Sequence, residues 1–488
     1  TDRRPERRPS AGGMAAVSEQ QDETTTVPPG VALARLRMLP SVDEVLNHPE
    51  LQRVIDDVGR PRCADWARQS VDSLRTSLVR TNGNFDRKDL LTQAVRATAE
   101  EYEARITSRL GRVINATGVL LHTNLGRAPL ADAAIDAVAE SSRFTNIEFD
   151  LATGRRGRRG ADVERLLCEL TGAAAALVVN NCAAATLLVL QTLAAGREVV
   201  ISRGQLIEIG GSYRLPDVFA ASGAVLREVG TTNRTRLADY ESAICEDTAA
   251  LLRVHHSNYR IVGFTEDVPI GPLVELAHSK GLPAVDDLGS GCLHDLTPFG
   301  LTGEPLVGDS LNCGADVVLF SGDKLLGGPQ CGVILGGREL VDRLRASPLT
   351  RALRVDKLTL AALSATLQIH AAGRAFDQIP VLRMIAAGAD DLHRRAAAIC
   401  EEVKASSNHA DCDPVALEST VGGGALPAQT QSSWAVRLPS SAPQETALRL
   451  RSGRPAVVGR IENDAILLDL RSVLPEEDQL LSQRLASL

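Results

Sequence analysis

Two textures of hydrophobic patterning divide the chain. From about residue 38 to 110 the apolar positions recur at helical spacing. Leu51, Val54 and Ile55 form one stripe, and Trp66, Val71, Leu74 and Leu78 resume it after the break at Gly59–Pro61. Ser41 and Glu44 form an S-x-x-E capping box behind Pro40, which marks a helix start. Asn82-Gly83 marks a turn, and a long helix is predicted from Phe85 to Leu110.

From about residue 112 short apolar runs alternate with helical segments. The runs are Ala176–Val179, Glu198–Ile201, Ala224–Val229, Ala250–Val254, Pro283–Val285, Val317–Phe320 and Val333–Leu335. Most end in Gly, Asn, Ser, His or Asp. Such alternation predicts a mostly parallel sheet covered by helices, with ligands at the carboxyl ends of its strands. After about residue 345 helices are expected to dominate, and Ala456–Gly459 and Ala465–Leu470 read as strands of a small α+β domain. The predicted organisation is a disordered tail over 1–35, a helical N-terminal domain over 36–110, a large α/β domain over 111–370 and a small C-terminal domain over 371–488.

Composition narrows the function. The 488 residues carry 53 Lys and Arg against 61 Asp and Glu, a net charge of −8. Generic nucleic-acid binders are usually basic, so an RNA partner would be held by local patches. Aromatic residues make up 3% of the chain, which argues against base stacking as the main mode of contact. No apolar run is long enough to span a bilayer. Nine cysteines without a C-x-x-C pair suit neither a disulfide framework nor a zinc site; they read as reduced, mostly buried thiols of a cytoplasmic protein. The tail, with Arg3, Arg4, Arg7 and Arg8, lacks the apolar segment of a secretory signal and reads as solvated.

The chemistry concentrates in Phe320-Ser321-Gly322-Asp323-Lys324-Leu325-Leu326-Gly327-Gly328. A buried strand delivers a lysine into a glycine-rich turn. A desolvated lysine loses its proton near neutral pH, as Schiff-base chemistry requires. Ser321 could donate to a phosphate. About 38 residues upstream, roughly one βαβ unit, the run Pro283–Val285 ends in Asp286-Asp287. A carboxylate there can keep a pyridinium nitrogen protonated, which makes pyridoxal phosphate an electron sink. Asp286 directly follows the run and is the preferred partner. Farther upstream a strand feeds Asn180-Asn181 and an Ala-rich helix. Free N–H groups of Cys182, Ala183 and Ala184 there form a phosphate cradle. Cradle, aspartate and lysine follow the chain order of fold-type I pyridoxal-phosphate enzymes. His255 and His256 follow the run Leu251–Val254 and serve either as a structural pair or as a cofactor contact, with His256 carried as the contact. The loop Gly154–Gly160, with Arg155, Arg156, Arg158 and Arg159, is either solvated or aimed at RNA phosphates across a subunit interface.

Longer stretches make the chain resemble bacterial selenocysteine synthases, L-seryl-tRNA(Sec) selenium transferases, from about residue 35 to 485. They include Leu39–Leu46, Val113–Val119, His122–Leu130, Ser202–Gly211, Gly230–Thr235, His256–Arg260, the lysine segment, Val421–Gly424 and Val458–Glu462. The resemblance implies a fold-type I transferase. In it Lys324 forms the Schiff base, and β-replacement passes through an aminoacrylyl intermediate with selenophosphate as the selenium donor. It implies that Arg127, Arg351 and Arg354 clamp this anion, that Asp323 orients Lys324 or the serine, and that Thr231 and Thr232 contact substrate. It also implies a tRNA(Sec)-gripping N-terminal domain and a homodecamer, a ring of dimers. Two rivals are a lyase acting on small amino acids or amino sugars and a catalytically silent tRNA-binding protein. The N-terminal domain and donor arginines weigh against the first, and Lys324 with Asp286 against the second.

Overall fold

The computed structural model describes residues 35–80, 85–107, 110–211, 213–406 and 411–488. Residues 1–34 of the expected tail, and the turn at Asn82-Gly83, lie outside them. The chain divides into two compact units at Gly111/Arg112.

The first unit is helical. α1 (Val42–Leu46) begins at the predicted capping box: Ser41 Oγ accepts the Glu44 N–H at 3.2 Å, and Glu44 Oε2 accepts the Ser41 N–H at 2.7 Å. α2 (Gln52–Val58) stops at Gly59, whose φ of 81° no other residue adopts cheaply. α3 (Arg60–Arg80) and α4 (Arg87–Thr107) follow. Their apolar faces enclose Leu51, Val54, Trp66, Val71, Val95 and Tyr102. Trp66 is in this core, its ring centroid 6.4 Å from that of Tyr102.

The second unit holds a seven-stranded sheet. Its strands are β1 (Ala175–Val179), β2 (Glu198–Ser202), β3 (Val225–Val229), β4 (Thr248–Val254), β5 (Ala284–Gly289), β6 (Val317–Ser321) and β7 (Gly332–Gly336). All seven predicted runs are present. Their order in the sheet is β1-β7-β6-β5-β4-β2-β3, and only β7 runs antiparallel to its neighbours. The inner strands β4, β6 and β7 are buried on both faces, which is why they read as mainly apolar runs rather than alternating ones. α5 (Cys182–Ala194) leaves β1, and α6 (Lys357–Ala371) packs on the opposite face.

The C-terminal part departs from expectation. Helix α7 (Ala389–Ser406) is followed by a long hairpin, β8 (Asp413–Gly422) and β9 (Ala425–Pro439), in a stretch expected to be mainly helical. With β10 (Arg460–Glu462) and β11 (Ala465–Asp469) the hairpin forms an antiparallel sheet in the order β8-β9-β11-β10. One face of this sheet, through Val436, Leu438, Ile466 and Leu468, packs on Leu392, Ala396, Ile399 and Val403 of α7. The first residues of the unit belong here too, since Val113–Asn115 pairs in parallel with Ala456–Val458. Among the described residues no helix is long and apolar enough to cross a membrane.

Candidate active site

The carboxyl ends of β1, β4, β5 and β6 converge on a cavity of about 250 Å³. Lys324 sits three residues past β6. It is 6% exposed, and its Nζ donates to the Gly424 carbonyl at 3.3 Å. Burial pulls the amine below its ordinary range and Arg127 adds to this, while Cys182, Asp323 and Asp287 pull the other way. The lysine therefore tends toward the neutral form that carbonyl chemistry requires.

The facing carboxylate is Asp287, not Asp286. The strand runs on through Gly289, so successive side chains take opposite faces. Asp286 points away from the cavity, toward Arg253 Nε at 3.3 Å and the Ser310 hydroxyl at 2.6 Å. Asp287 lines the cavity, accepting from Thr186 Oγ1 at 3.1 Å and Cys182 Sγ at 3.5 Å. Burial raises its carboxyl to about 6, against the opposing pull of those two hydrogen bonds and Lys324.

The helix N-terminus is where the sequence placed it, with one change. Cys182 and Ala183 open α5 and line the cavity. The Ala184 N–H is already taken, donating to the Asn181 side-chain oxygen at 2.8 Å. Burial pushes the Cys182 thiol well above its usual range, so it stays protonated. Ser321 also lines the cavity, but its hydroxyl donates to Asp323 Oδ1 at 2.8 Å rather than standing free for a phosphate.

The histidine doublet splits in the same way as the aspartates. His256 faces out of the cavity, its Nε2 at 2.9 Å from the Gly204 carbonyl and its ring edge-on to Tyr259. His255 lines the cavity. Burial lowers it to about 4, so it is neutral. Behind it lies Glu304, whose Oε2 accepts the Leu426 N–H at 3.0 Å and stands 3.9 Å from His255 Nε2, beyond hydrogen-bond reach. Burial raises the Glu304 carboxyl.

Arg127 borders the cavity and pairs with Asp323 Oδ2 at 2.7 Å. Its φ of 61° is a left-handed conformation that a non-glycine residue holds at a cost of about 1–2 kcal/mol. The pair is anchored again by the backbone, where the Ala128 N–H donates to the Asp323 carbonyl at 3.2 Å. Asp323 thus holds Arg127 and Ser321 rather than lining the cavity.

The remaining expected residues lie elsewhere in the chain. Arg351 and Arg354 line a separate cavity of about 290 Å³ with Arg158, Arg159 and Arg345. There Arg354 stands 3.6 Å from Glu148, and Arg159 donates to the same carboxylate at 3.0 Å. Thr232 lines a third cavity, with His256 and Tyr259. The exposed Thr231 closes a local turn through the Arg234 carbonyl at 3.1 Å.

The sequence reading named Asp287 and His255 but preferred their neighbours; it missed Tyr213, which lines the cavity, and Glu304, which stands behind His255. For Asp287, strand alternation carried on past the apolar run was an available signal; His255 lies just past the end of its strand, where alternation does not apply. Tyr213 and Glu304 are brought in by the tertiary fold, and no local pattern marks them.

These residues fit pyridoxal phosphate: a buried lysine, a buried carboxyl across the cavity and a helix N-terminus suited to a phosphate.

Comparison with known proteins points to one family. The family model for L-seryl-tRNA selenium transferase matches residues 113–474, and that for the selenocysteine synthase N terminal region matches 36–75. An L-seryl-tRNA(Sec) selenium transferase from Carboxydothermus hydrogenoformans is 46% identical over 445 residues, covering 91% of this chain and 95% of its own. One from Moorella thermoacetica is 48% identical over 455 residues, covering 92% and 96%. Among solved structures, D-glucosaminate-6-phosphate ammonia-lyase superposes with a TM-score of 0.54 at 23% identity, over 78% of this chain and 95% of that one, a likeness of fold. With its family models spanning the helical and the catalytic parts, and near-half identity over almost the whole of these relatives, the chain belongs to the L-seryl-tRNA selenium transferase family.

Proposed function

We propose that Lys324, Asp287, His255 and the N-terminus of α5 form the site in which this enzyme converts L-seryl-tRNA(Sec) to L-selenocysteinyl-tRNA(Sec). The observation that carries this reading is that Lys324 and Asp287, both buried, line one cavity with Cys182 and Ala183. The cofactor is pyridoxal phosphate, which when bound supplies an electron sink for the carbanion formed at the serine Cα.

This chain's residues do the rest. The N–H groups that open α5 hold the phosphate with the positive end of the helix dipole. Asp287 would keep a proton at the ring nitrogen, the opposite charge there offsetting the burial that raises its carboxyl. His255, neutral, would face the cofactor ring without adding charge. The Lys324 amine would be placed to take the Cα proton and, once the serine hydroxyl has left as water and selenium has added at Cβ, to return a proton to Cα. Arg127, fixed by Asp323, sets a cation at the cavity mouth.

The selenium donor is selenophosphate, and the arginine cavity around Arg351 and Arg354 is the anion site that receives it. In one chain that cavity is separate from Lys324, so the working site is composite. The enzyme acts as a homo-oligomer, a ring of ten, in which a neighbouring copy brings Arg351 and Arg354 to Lys324. The helical unit grips tRNA(Sec) by shape and backbone contacts, two of its aromatic residues, Trp66 and Tyr102, being in its own core. The enzyme works in the cytoplasm.

The test combines purified protein, seryl-tRNA(Sec) and selenophosphate. The Lys324→Ala variant should lose turnover and the borohydride-sensitive visible band. Turnover of free serine without tRNA would sink this reading.

A further inference from the structure

Two histidines that the mechanism does not use stand directly behind the lysine loop. His370, in the last turn of α6, is 5% exposed, and its Nε2 lies 2.9 Å from the Leu326 carbonyl. Its Nδ1 lies 2.8 Å from Nε2 of His294, in the loop after β5. The two rings are nearly parallel, 17° apart, and His294 rests in turn on Phe376.

The protonation pattern follows from donors and acceptors once burial, which lowers His370 to about 4, keeps that ring neutral. A carbonyl only accepts, so His370 carries its proton on Nε2 and leaves Nδ1 bare. His294 must then carry its proton on Nε2 and donate it to that bare nitrogen. Both rings are neutral, burial lowering His294 as well.

The chain of bonds ends on the segment that aims Lys324. The Gly327 N–H donates to the Lys324 carbonyl at 3.0 Å, Gly328 N–H to Gly322 at 2.8 Å, and Leu325 N–H to Ser290 at 3.0 Å. The Leu326 carbonyl lies inside this turn, and His370 fixes it from outside. The relay therefore joins three elements: the loop after the Asp287 strand, the lysine turn, and the helix that follows Arg351 and Arg354.

We propose that His370 and His294 are positioning residues, a two-imidazole relay that holds the Leu326 carbonyl and so sets the direction of Lys324. Its bearing on turnover rests on the role assigned to Lys324, whereas its bearing on the loop does not.

The test compares full-length His370→Leu, close in volume but without polar atoms, with His370→Gln, whose amide can donate to Leu326 and accept from His294. The first readout is amide hydrogen exchange of Leu325–Gly328 in cofactor-free protein. His370→Leu should exchange roughly tenfold faster there, and His370→Gln within about threefold of the parent. The second readout, on cofactor-loaded enzyme, is the visible band and the kinetic split. For His370→Leu the band should shift and kcat should fall, with KM for seryl-tRNA unmoved. For His370→Gln both should be retained.

If His370→Leu does not fold, His294→Phe keeps the ring contact to Phe376 and removes only the donated proton. It should raise exchange in the same four residues. Unchanged exchange in the leucine or phenylalanine variant overturns the proposal. So does an equal loss in the leucine and glutamine variants, which would mean that the ring only fills space. Faster exchange without any lysine-linked band in the parent would leave the relay standing and refute the role of Lys324 instead.

Discussion

Asp287 shows the tension at single residues. A carboxyl raised to about 6 is favoured in its protonated form inside the fold and ionised in the unfolded chain, whose reference value is 3.8. Between those values the native state holds the extra proton, so the contribution of this group to stability falls as pH rises through the window. Without cofactor, Asp287→Asn should therefore be more stable than the parent at pH 8, by on the order of 1–3 kcal/mol. Near pH 4 the two should converge. Chemical denaturation of cofactor-free protein at both pH values checks this, and a gap that widened toward acid would contradict it. Activity should be lost at every pH, because an amide cannot hold the ring-nitrogen proton. The same residue marks what the sequence could tell. The aspartate doublet was legible as a site, but its facing member depends on where the strand ends. The apolar run stops at Val285 while the strand continues to Gly289. The histidine doublet went the same way, since His255 and His256 look identical until their strand end is placed.

At the scale of elements, β1 and β4–β7 were legible because a doubly covered sheet leaves mainly apolar runs, whereas the edge strand β3 is largely exposed. The β8–β9 hairpin was not legible, because its residues alternate between intermediate and exposed or buried positions and lack a compact apolar run. That hairpin matters to the site through its turn. Gly424 has a φ of 82°, and an added Cβ would stand 3.0 Å from Lys324 Nζ, the atom its carbonyl accepts from. Glycine is needed here twice, for the left-handed backbone and for the room beside the amine. Gly424→Ala should shift the lysine, lowering kcat more than tenfold, with only a modest fall in melting temperature. Steady-state kinetics and thermal melting on the same preparation separate the two effects. A melting temperature that collapsed with kcat would point to the hairpin itself rather than to the lysine.

At the scale of the molecule, Arg351 and Arg354 line a cavity apart from Lys324, which bears on the composite site proposed above. The sequence ranks all three as site residues, yet within one chain the arginines line their own cavity with Arg158 and Arg159. If selenophosphate binds to those arginines and reacts beside Lys324, two copies must supply the two halves of each site. That arrangement has a signature no single-chain site shares. Lys324→Ala and Arg351→Ala should each be inactive alone, the first in cofactor chemistry and the second in use of the selenium donor. Co-expressed with distinguishable tags and purified through both, they form mixed assemblies. A site then works when its lysine comes from the Arg351→Ala chain and its arginine from the Lys324→Ala chain, which random pairing meets in about a quarter of sites. Mixed assemblies should recover about that share of wild-type turnover, while the separately purified variants, combined without subunit exchange, recover none. A site contained in one chain predicts no recovery in either case, because every chain then carries one defect in its own site.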